Sequence, residues 1–541
     1  MTLKPEVSAV ASRTKRVRSI LFPLLVAAAC LSGCHSMTDP AKLGVAPVTF
    51  ERHEIQLGSA RRQTVLTGDL LEGGMGELAV VHIDGRGDRR LRIHAFGDDG
   101  WAPTLDAVLR PGVLFVDVAN IAGRDRLISY EPGRLNWFDP ESSTEHELLA
   151  VSTDFQPPSR GEVFHVDITR DLNGDGRDDL VVPHRAGFRV SLQEADGSFA
   201  APGRVGADRT MRRVYGADGY RYDPWESGLV HEMDHDLDGR TDLVFWNGDH
   251  FVVHHQDEQQ RFATKPATFK TEVRFDSDEM SSLVAPGGGH RRQKGHAAQG
   301  ALSGRVLNAL TDMNGDGVGD LVIFDLETRG DDDQARTSEF WDMSSALKVH
   351  FGSPTPGGTG FATEPGAVLR VEGTPFAFDR HDFDHDGQVD VAFTSIDPTF
   401  FKIVGTIFSA LAKNTVSFDL QVHRMVDGAY GDRPAADLSI KFGTGRESGK
   451  TPMIPVQLVG DVNGDGRLDL LVQEGRENLR IHLGVPGGRL VAGNPQTIEV
   501  AMPNDEEFTW LVDLDRNGKQ DVLIHHPSTT GAQRVTLLIA E

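Results

Sequence analysis

Cysteine is nearly absent. The 541 residues contain two, Cys30 and Cys34, so no disulfide framework is available to the chain beyond them. Long apolar runs are absent as well: the longest, ILFPLLVAAAC (20–30), is of secretory-signal length and falls short of the ~20 residues that span a bilayer. Basic residues are scarce, 55 Lys and Arg against 80 Asp and Glu, and the formal charge of −25 argues against nucleic acid and anionic membrane surfaces as partners. Catalytic signatures are few: there is no phosphate loop and no nucleophile motif, H-E-x-x-H is spelled only by HEMDH (231–235), and no catalytic residue is assigned. Trp341 and Asp342 form a lone WD pair, which without further copies is no repeat signature.

Residues 1–34 read as an export segment. Lys4, Arg13, Lys15, Arg16 and Arg18 precede the apolar run, and LSGC (31–34) resembles the bacterial lipobox, whose cysteine is acylated and begins the mature chain. A plain signal peptide cleaved near Ala29 is the alternative. Residues 35–45 then form a tether to a membrane leaflet through lipid on Cys34. His35 rather than Asp after that cysteine resembles outer-membrane sorting in Gram-negative lipoproteins, so the expected location is the bacterial cell envelope. Losing the segment removes five bases and one acid and leaves a charge of about −29.

What the chain has in plenty is glycine, 59 residues, and a repeat. The stretch DLNGDGRDDLVV at Asp171 returns as DHDLDGRTDLVF (Asp234), DMNGDGVGDLVI (Asp312), DFDHDGQVDVAF (Asp382), DVNGDGRLDLLV (Asp461) and DLDRNGKQDVLI (Asp513). One match to five constrained positions arises by chance about once in 10^5 starts, so six copies are a true repeat. A hard cation takes roughly six to eight oxygens, and a tightly wound loop turns alternate side chains inward around it, with glycine at position six permitting the sharp turn. Positions one, three, five and nine supply side chains and position seven its backbone carbonyl. The candidate calcium ligands are therefore Asp171, Asn173, Asp175, Arg177 and Asp179; Asp234, Asp236, Asp238, Arg240 and Asp242; Asp312, Asn314, Asp316, Val318 and Asp320; Asp382, Asp384, Asp386, Gln388 and Asp390; Asp461, Asn463, Asp465, Arg467 and Asp469; and Asp513, Asp515, Asn517, Lys519 and Asp521. Magnesium, which demands octahedral geometry and keeps its waters, fits less well. An EF-hand needs a bidentate Glu at position twelve, where this chain has Val182, Phe245, Ile323, Phe393, Val472 or Ile524. Each loop instead enters a β-rich apolar stretch and so joins two strands. Metal-free Asp/Gly turns are the alternative, but a turn needs only one or two such residues.

The loops, with GSFAAP (197–202), RFATKP (261–266) and GFATEP (360–365), resemble the FG-GAP/VCBS repeat family, which includes the integrin α-subunit propeller and many bacterial surface proteins. The resemblance covers nearly all of residues 46–541. It implies an all-β propeller of four-stranded antiparallel blades, one per repeat, with about six structural Ca²⁺ ions in loops between early strands. It also implies ligands on the face away from those loops.

Two degenerate copies, DLLEGGMGELAVV (Asp69) and DVANIAGRDRLIS (Asp117), keep the strand–turn–strand plan without the alternate oxygens, and no calcium is expected there. LRIHAFGDDGWAP (91–103) parallels LRIHLGVPGGRLVA (479–492), which marks the first unit as a blade. Eight starts give eight blades, with seven plus an irregular unit as the alternative. The last unit ends in RVTLLIAE, its third strand, while APVTFERHEIQ (46–56) resembles KPATFKTEVRF (265–275), the outer strand of the fourth blade. Residues 48–57 are therefore expected to close the ring and cover a bare edge. Insertions are expected at 276–305, a polar loop whose His290 and His296 are either solvated or bind a transition metal, and at 397–442. In the latter, Ile403, Val404, Ile407, Phe408 and Leu411 form a helical stripe for a partner, or for covering the channel.

These features point to a non-catalytic, calcium-stabilised, lipid-anchored scaffold that binds a protein or glycan, with adhesion as its role. The rival from another class is a secreted polysaccharide lyase or hydrolase, for which Tyr215, Tyr220, Tyr222 and His231 are the nearest acid–base cluster.

Overall fold

The apolar runs that follow the six loops become the second strands of six sheets, and they are buried on both faces. Leu180, Val181 and Val182 show why: successive side chains of a strand point to opposite sides, so Leu180 and Val182 enter the cluster shared with the preceding sheet and Val181 the cluster shared with the next. The same division splits Leu470 and Val472 from Leu471, and Val522 and Ile524 from Leu523. A strand sandwiched in this way must be apolar throughout, which is what the sequence supplies.

The computed structural model describes residues 40–71, 73–153, 161–184, 187–207, 221–227, 230–278, 304–328, 343–372, 374–396, 415–443, 456–503, 505–528 and 531–541. The fold is a β-propeller. Blade 1 is Thr64–Gly68, Glu77–Ile83, Arg89–Gly97 and Gly100–Val108; blade 2 contains Phe115–Ile121, Arg124–Glu131, Arg134–Asp139 and Thr144–Ala150. Blade 3 is Thr169–Arg170, Asp179–His184, Gly187–Ser191 and Gly203–Val205, and blade 4 is His231–Met233, Asp242–Trp246, Phe251–His254 and Ala267–Phe269. Blade 5 is Gly304–Thr311, Asp320–Thr328, Met343–His350 and Ala367–Glu372; blade 6 is Thr374–His381, Asp390–Ile396, Thr415–His423 and Ala436–Gly443. Blade 7 is Gln457–Gly460, Asp469–Glu474, Asn478–His482 and Gln496–Glu499, and blade 8 is Thr509–Val512, Asp521–His526, Gln533–Ala540 and the N-terminal Phe50–Gly58. Seven of these sheets are four-stranded and antiparallel. In blade 2 two short parallel strands, Phe164–Val166 and Arg221–Tyr222, are added inside the four antiparallel ones and make it six-stranded. Helix is confined to short turns such as Pro224–Ser227.

Eight apolar clusters lie one at each junction between successive blades. The cluster between blades 8 and 1 joins Ile55 and Leu57 to Val65, Leu78 and Val80 on one side and Leu523, Val535 and Leu537 on the other, so the ring is closed. Closure occurs as expected, with Phe50 opposite Ala540 and Gly58 opposite Gln533 in an antiparallel ladder. The Phe residues of the tail signature, Phe199, Phe262 and Phe361, each pack on the cluster shared with the preceding blade.

At three of the expected boundaries the described residues add detail. The tether of 35–45 is not wholly free: Val45 is buried with Val48 between blades 7 and 8. Of the insertion at 397–442, residues 415–442 belong to the blade itself, because Phe418, Leu420 and Val422 alternate inward on its third strand and Leu438 and Ile440 on its fourth. The stripe from Ile403 to Leu411 lies outside the described residues. The ends of 276–305 are stitched together, Asp276 N–H to Arg305 O at 2.7 Å and Leu307 N–H to Ser277 O at 2.9 Å, while His290 and His296 lie outside the described residues.

Leu471 is fully buried on the second strand of blade 7. Leu471→Ala is expected to cost about 2–5 kcal/mol, measurable by chemical denaturation, and a cost near zero would mean the junction between blades 7 and 8 is not packed.

Candidate metal centres

Each of the six loops joins the first and second strands of its blade, so all six lie on one face of the ring. Neighbouring loop segments are tied by backbone bonds: Val389 N–H to Met313 O and Gln520 N–H to Asp461 O, both 2.9 Å. Within a loop the first aspartate holds the turn. Asp171 accepts from Asp175 N–H at 3.0 Å and Gly176 N–H at 2.8 Å, and Asp234, Asp382 and Asp461 repeat the pattern. Glycine is required at position six, where φ is +80° at Gly176 and +87° at Gly239. Position four is left-handed as well. It is glycine in three loops, but Leu237, His385 and Arg516 occupy it elsewhere with φ of 56–61°, at a cost of about 1–2 kcal/mol each.

The aspartate at position nine is fully buried in all six loops. Asp179 accepts from Leu172 N–H at 3.1 Å and from Gln193 N–H at 2.8 Å, just past the end of the third strand, so one carboxylate ties the loop to the strands behind it. The same two bonds recur at Asp242, Asp320, Asp390, Asp469 and Asp521. Three loops bring three carboxylates within 4.8 Å of one another: Asp234, Asp236 and Asp242; Asp382, Asp384 and Asp390; Asp513, Asp515 and Asp521. In the other three, Asn173, Asn314 and Asn463 stand at position three. Arg177 and Arg240 lean on Asp175 and Asp238, and Arg424 lies 2.6 Å from Asp384 and 3.0 Å from Asp386. Asp384 Oδ1 is buried without a hydrogen-bond partner. Acidic oxygens converging around a buried carboxylate suit a hard divalent cation, which would replace the missing positive charge.

The degenerate units keep part of this frame. Glu77 stands at position nine of blade 1, buried, and accepts from Leu70 N–H at 2.7 Å and Leu71 N–H at 3.1 Å. In blade 2, Asp125 stands there and receives Asp69 N–H of blade 1 at 2.9 Å. Asp117 serves the added strand by accepting from Ile168 N–H at 2.7 Å and pairing with His165 at 2.9 Å.

Burial pushes Asp179, Asp390 and Asp469 up to about 7 and Asp320 and Asp521 up to about 6; two backbone N–H bonds oppose the shift and the neighbouring loop aspartates add to it. Without an ion, these carboxyls keep protons in the folded chain that the unfolded chain releases near pH 4, so their contribution to stability falls as pH rises from about 4 to about 7. Buried His94, His423, His482 and His525 and half-buried His526 are pulled down to about 4, chiefly by loss of solvent, and act in the opposite sense: their contribution is lost as pH falls from about 6.5 to about 4. A bound cation competes with the carboxyl protons. The gap in melting temperature between calcium and chelator is therefore expected to shrink as pH is lowered from 8 to 5, and a gap independent of pH would count against these carboxyls as ligands.

A cavity of about 370 Å³ opens between the innermost strands of blades 8, 1, 2 and 3, and Asp117, His165, Asp178, Arg221 and Trp510 help to line it. No sequence signal marked it, since its residues come from four blades. Of the acid–base cluster proposed from sequence, Tyr215 and Tyr220 lie outside the described residues. Tyr222 and His231 are buried, Tyr222 in the cluster between blades 2 and 3, while His231 Nδ1 receives Leu310 N–H of blade 5 at 3.3 Å. Cys34, Trp341 and Asp342 also lie outside the described residues.

No protein-family model matches the chain, and no curated protein matches it by sequence. Solved structures do match. The V. cholerae biofilm matrix protein Bap1 is 9% identical over 91% of both chains with a TM-score of 0.36. The Photorhabdus luminescens Tc holotoxin pore is 12% identical over 92% of this chain and 21% of that one, with a TM-score of 0.29. At these scores neither carries an argument about ligand or activity.

Proposed function

We propose that the protein is a non-catalytic binding or adhesion scaffold of the FG-GAP/VCBS type, stiffened by about six calcium ions and held in the cell envelope by lipid on Cys34. What supports the reading most directly is the buried position-nine aspartate, repeated in six loops, with further acidic or amide oxygens converging on it. Such a cage is coordinatively closed. It holds two strands together and has no open position for chemistry, as expected of a structural ion. The ligand is a protein or glycan, and the cavity between blades 8, 1, 2 and 3 is a place for part of it: carboxylates, Arg221 and the Trp510 ring offer the hydrogen bonds and apolar face that a sugar needs.

The test is capture of native envelope polysaccharide and protein by the full chain, with and without calcium, using Arg221→Glu as the cavity variant. Calcium-dependent capture weakened by the substitution supports the scaffold. Cleavage of a polysaccharide by the purified chain would replace it with the lyase or hydrolase reading. Cys34→Ser is expected to move the chain from the membrane fraction to the soluble one; retention in the membrane would overturn the lipid anchor.

A further inference from the structure

One blade departs from the others in the same place twice. Position two of the loop is Leu172, Met313, Phe383, Val462 or Leu514 in five blades, each buried; in blade 4 it is His235, 3% exposed, with neither ring nitrogen hydrogen-bonded. The residue just before the backbone donor to position nine, at or just past the end of the third strand, is Leu192, Phe351, Arg424, Leu483 or Ile539 in the same five blades, and in blade 4 it is His255. Both histidines meet one carboxylate. His255 Nδ1 lies 3.0 Å from Asp242 Oδ2 and 3.3 Å from Asp236 Oδ2, and His235, Asp242 and His255 offer ligand atoms within 4.8 Å of one another. The group is covered from above. Phe269 stacks on His235 at 4.3 Å, and the blade 5 hairpin passes so close that a Cβ on Gly358 would lie 2.5 Å from His235 Cε1. A buried imidazole with two idle nitrogens is destabilising unless something occupies one of them.

We propose that His235, His255 and Asp242 bind one Zn²⁺ ion, which would take the place of calcium in the blade 4 loop because the two sites share Asp242, and which leaves oxygen-only chemistry to the other five loops. Calcium takes oxygen ligands, whereas zinc takes imidazole nitrogen and carboxylate oxygen in a tetrahedron with bonds of about 2.0–2.2 Å. Neighbouring ligand atoms of such a tetrahedron are about 3.3 Å apart, close to the 3.0 Å between His255 and Asp242. Zinc would displace the proton those two groups share, and Asp236 or water would fill the fourth position. The adjacent His254 is not part of the site: it bonds Ala263 O through Nδ1 at 2.7 Å and receives Gly206 N–H at Nε2, a structural role shared by His350 and His482, whose Nδ1 atoms bond Ala362 O and Ala492 O.

The test is titration of the full chain with Co²⁺ and then Zn²⁺ in millimolar calcium, which keeps the other five loops supplied with their own ion. One equivalent of cobalt with the intense visible bands of four-coordinate geometry, displaced by one equivalent of zinc, is expected. His235→Leu and His255→Leu, which install side chains found at these positions in other blades, should each weaken zinc binding at least tenfold while the calcium-dependent melt persists. Absence of four-coordinate cobalt overturns the proposal, as do bands that survive both substitutions or that disappear instead in a His290→Ala, His296→Ala variant. Failure here leaves the calcium scaffold untouched, because the melt reads the latter separately.

Discussion

Removal of divalent cations is expected to lower the melting temperature by about 8–16 °C, the largest change that leaves the chain itself unaltered. Extracellular calcium modules bind at ~10^-4 to 10^-3 M, so at about 10 mM calcium each site adds about 1.4–2.7 kcal/mol, and six sites add roughly 8–16 kcal/mol. A ring of about 500 residues melting as one unit has an unfolding entropy near 1 kcal/mol/K, which converts that sum into the stated shift. Electrostatics act in the same direction. Twenty of the 80 acidic residues are candidate loop ligands, and about six divalent ions would take the charge of a chain without residues 1–34 from about −29 to about −17. Asp469→Asn should remove about one-sixth of the shift, since it disables one loop; its amide oxygen can accept only one of the two N–H bonds from Val462 and Gly484, so a lower melt in chelator is expected beside the smaller shift. Differential scanning calorimetry with calcium and with chelator measures both. A melt indifferent to chelator would mean that these are plain acidic turns.

Much of this architecture was legible because it repeats at short range. The loop, its strand on either side and the eightfold count all follow from stretches of about a dozen residues, and the closing segment could be recognised by its likeness to the outer strand of blade 4. What escaped notice is made over long distances or carried by degenerate signals. The two parallel strands added to blade 2 pair through the backbone, and parallel pairing leaves no local alternation or turn to read. The left-handed position four was hidden because Leu237, His385 and Arg516 are not turn formers. Position nine survives as Glu77 and Asp125 in the degenerate blades, where the loss of the other oxygens drew attention away from it. His235 was in plain view inside a quoted loop, yet only its burial, and the idle nitrogens that follow from it, distinguish it from a solvated turn residue.

A chain beginning after residue 58 is expected to lose the ring. Phe50–Gly58 is the outer strand of blade 8, and without it Gln533–Ala540 becomes a bare edge with the apolar run VTLLIA along it. Losing buried Ile55 and Leu57 alone forfeits about 3–6 kcal/mol. The clasp around the strand goes as well: Gln496 accepts Val48 N–H at 3.2 Å and donates to Val48 O at 2.5 Å, Glu541 N–H reaches Thr49 O at 2.9 Å, and Thr536 Oγ1 bonds Glu54 at 3.0 Å. The cost exceeds that of any single core substitution and is of the order of a whole domain's net stability, so the shortened chain should aggregate or melt far below the full one. Size-exclusion chromatography and thermal melting read the outcome, and adding a peptide of residues 46–58 should restore part of the stability by rebuilding the same ladder. A shortened chain that remains monomeric with an unchanged melt would show that blade 8 stands on three strands. Because the same segment leads back to Cys34, a lipid anchor there would deliver any pull between ligand and membrane to this ladder first, and calcium at Asp521, whose carboxylate holds Ala540 N–H at 2.8 Å, would stiffen the strand that resists it.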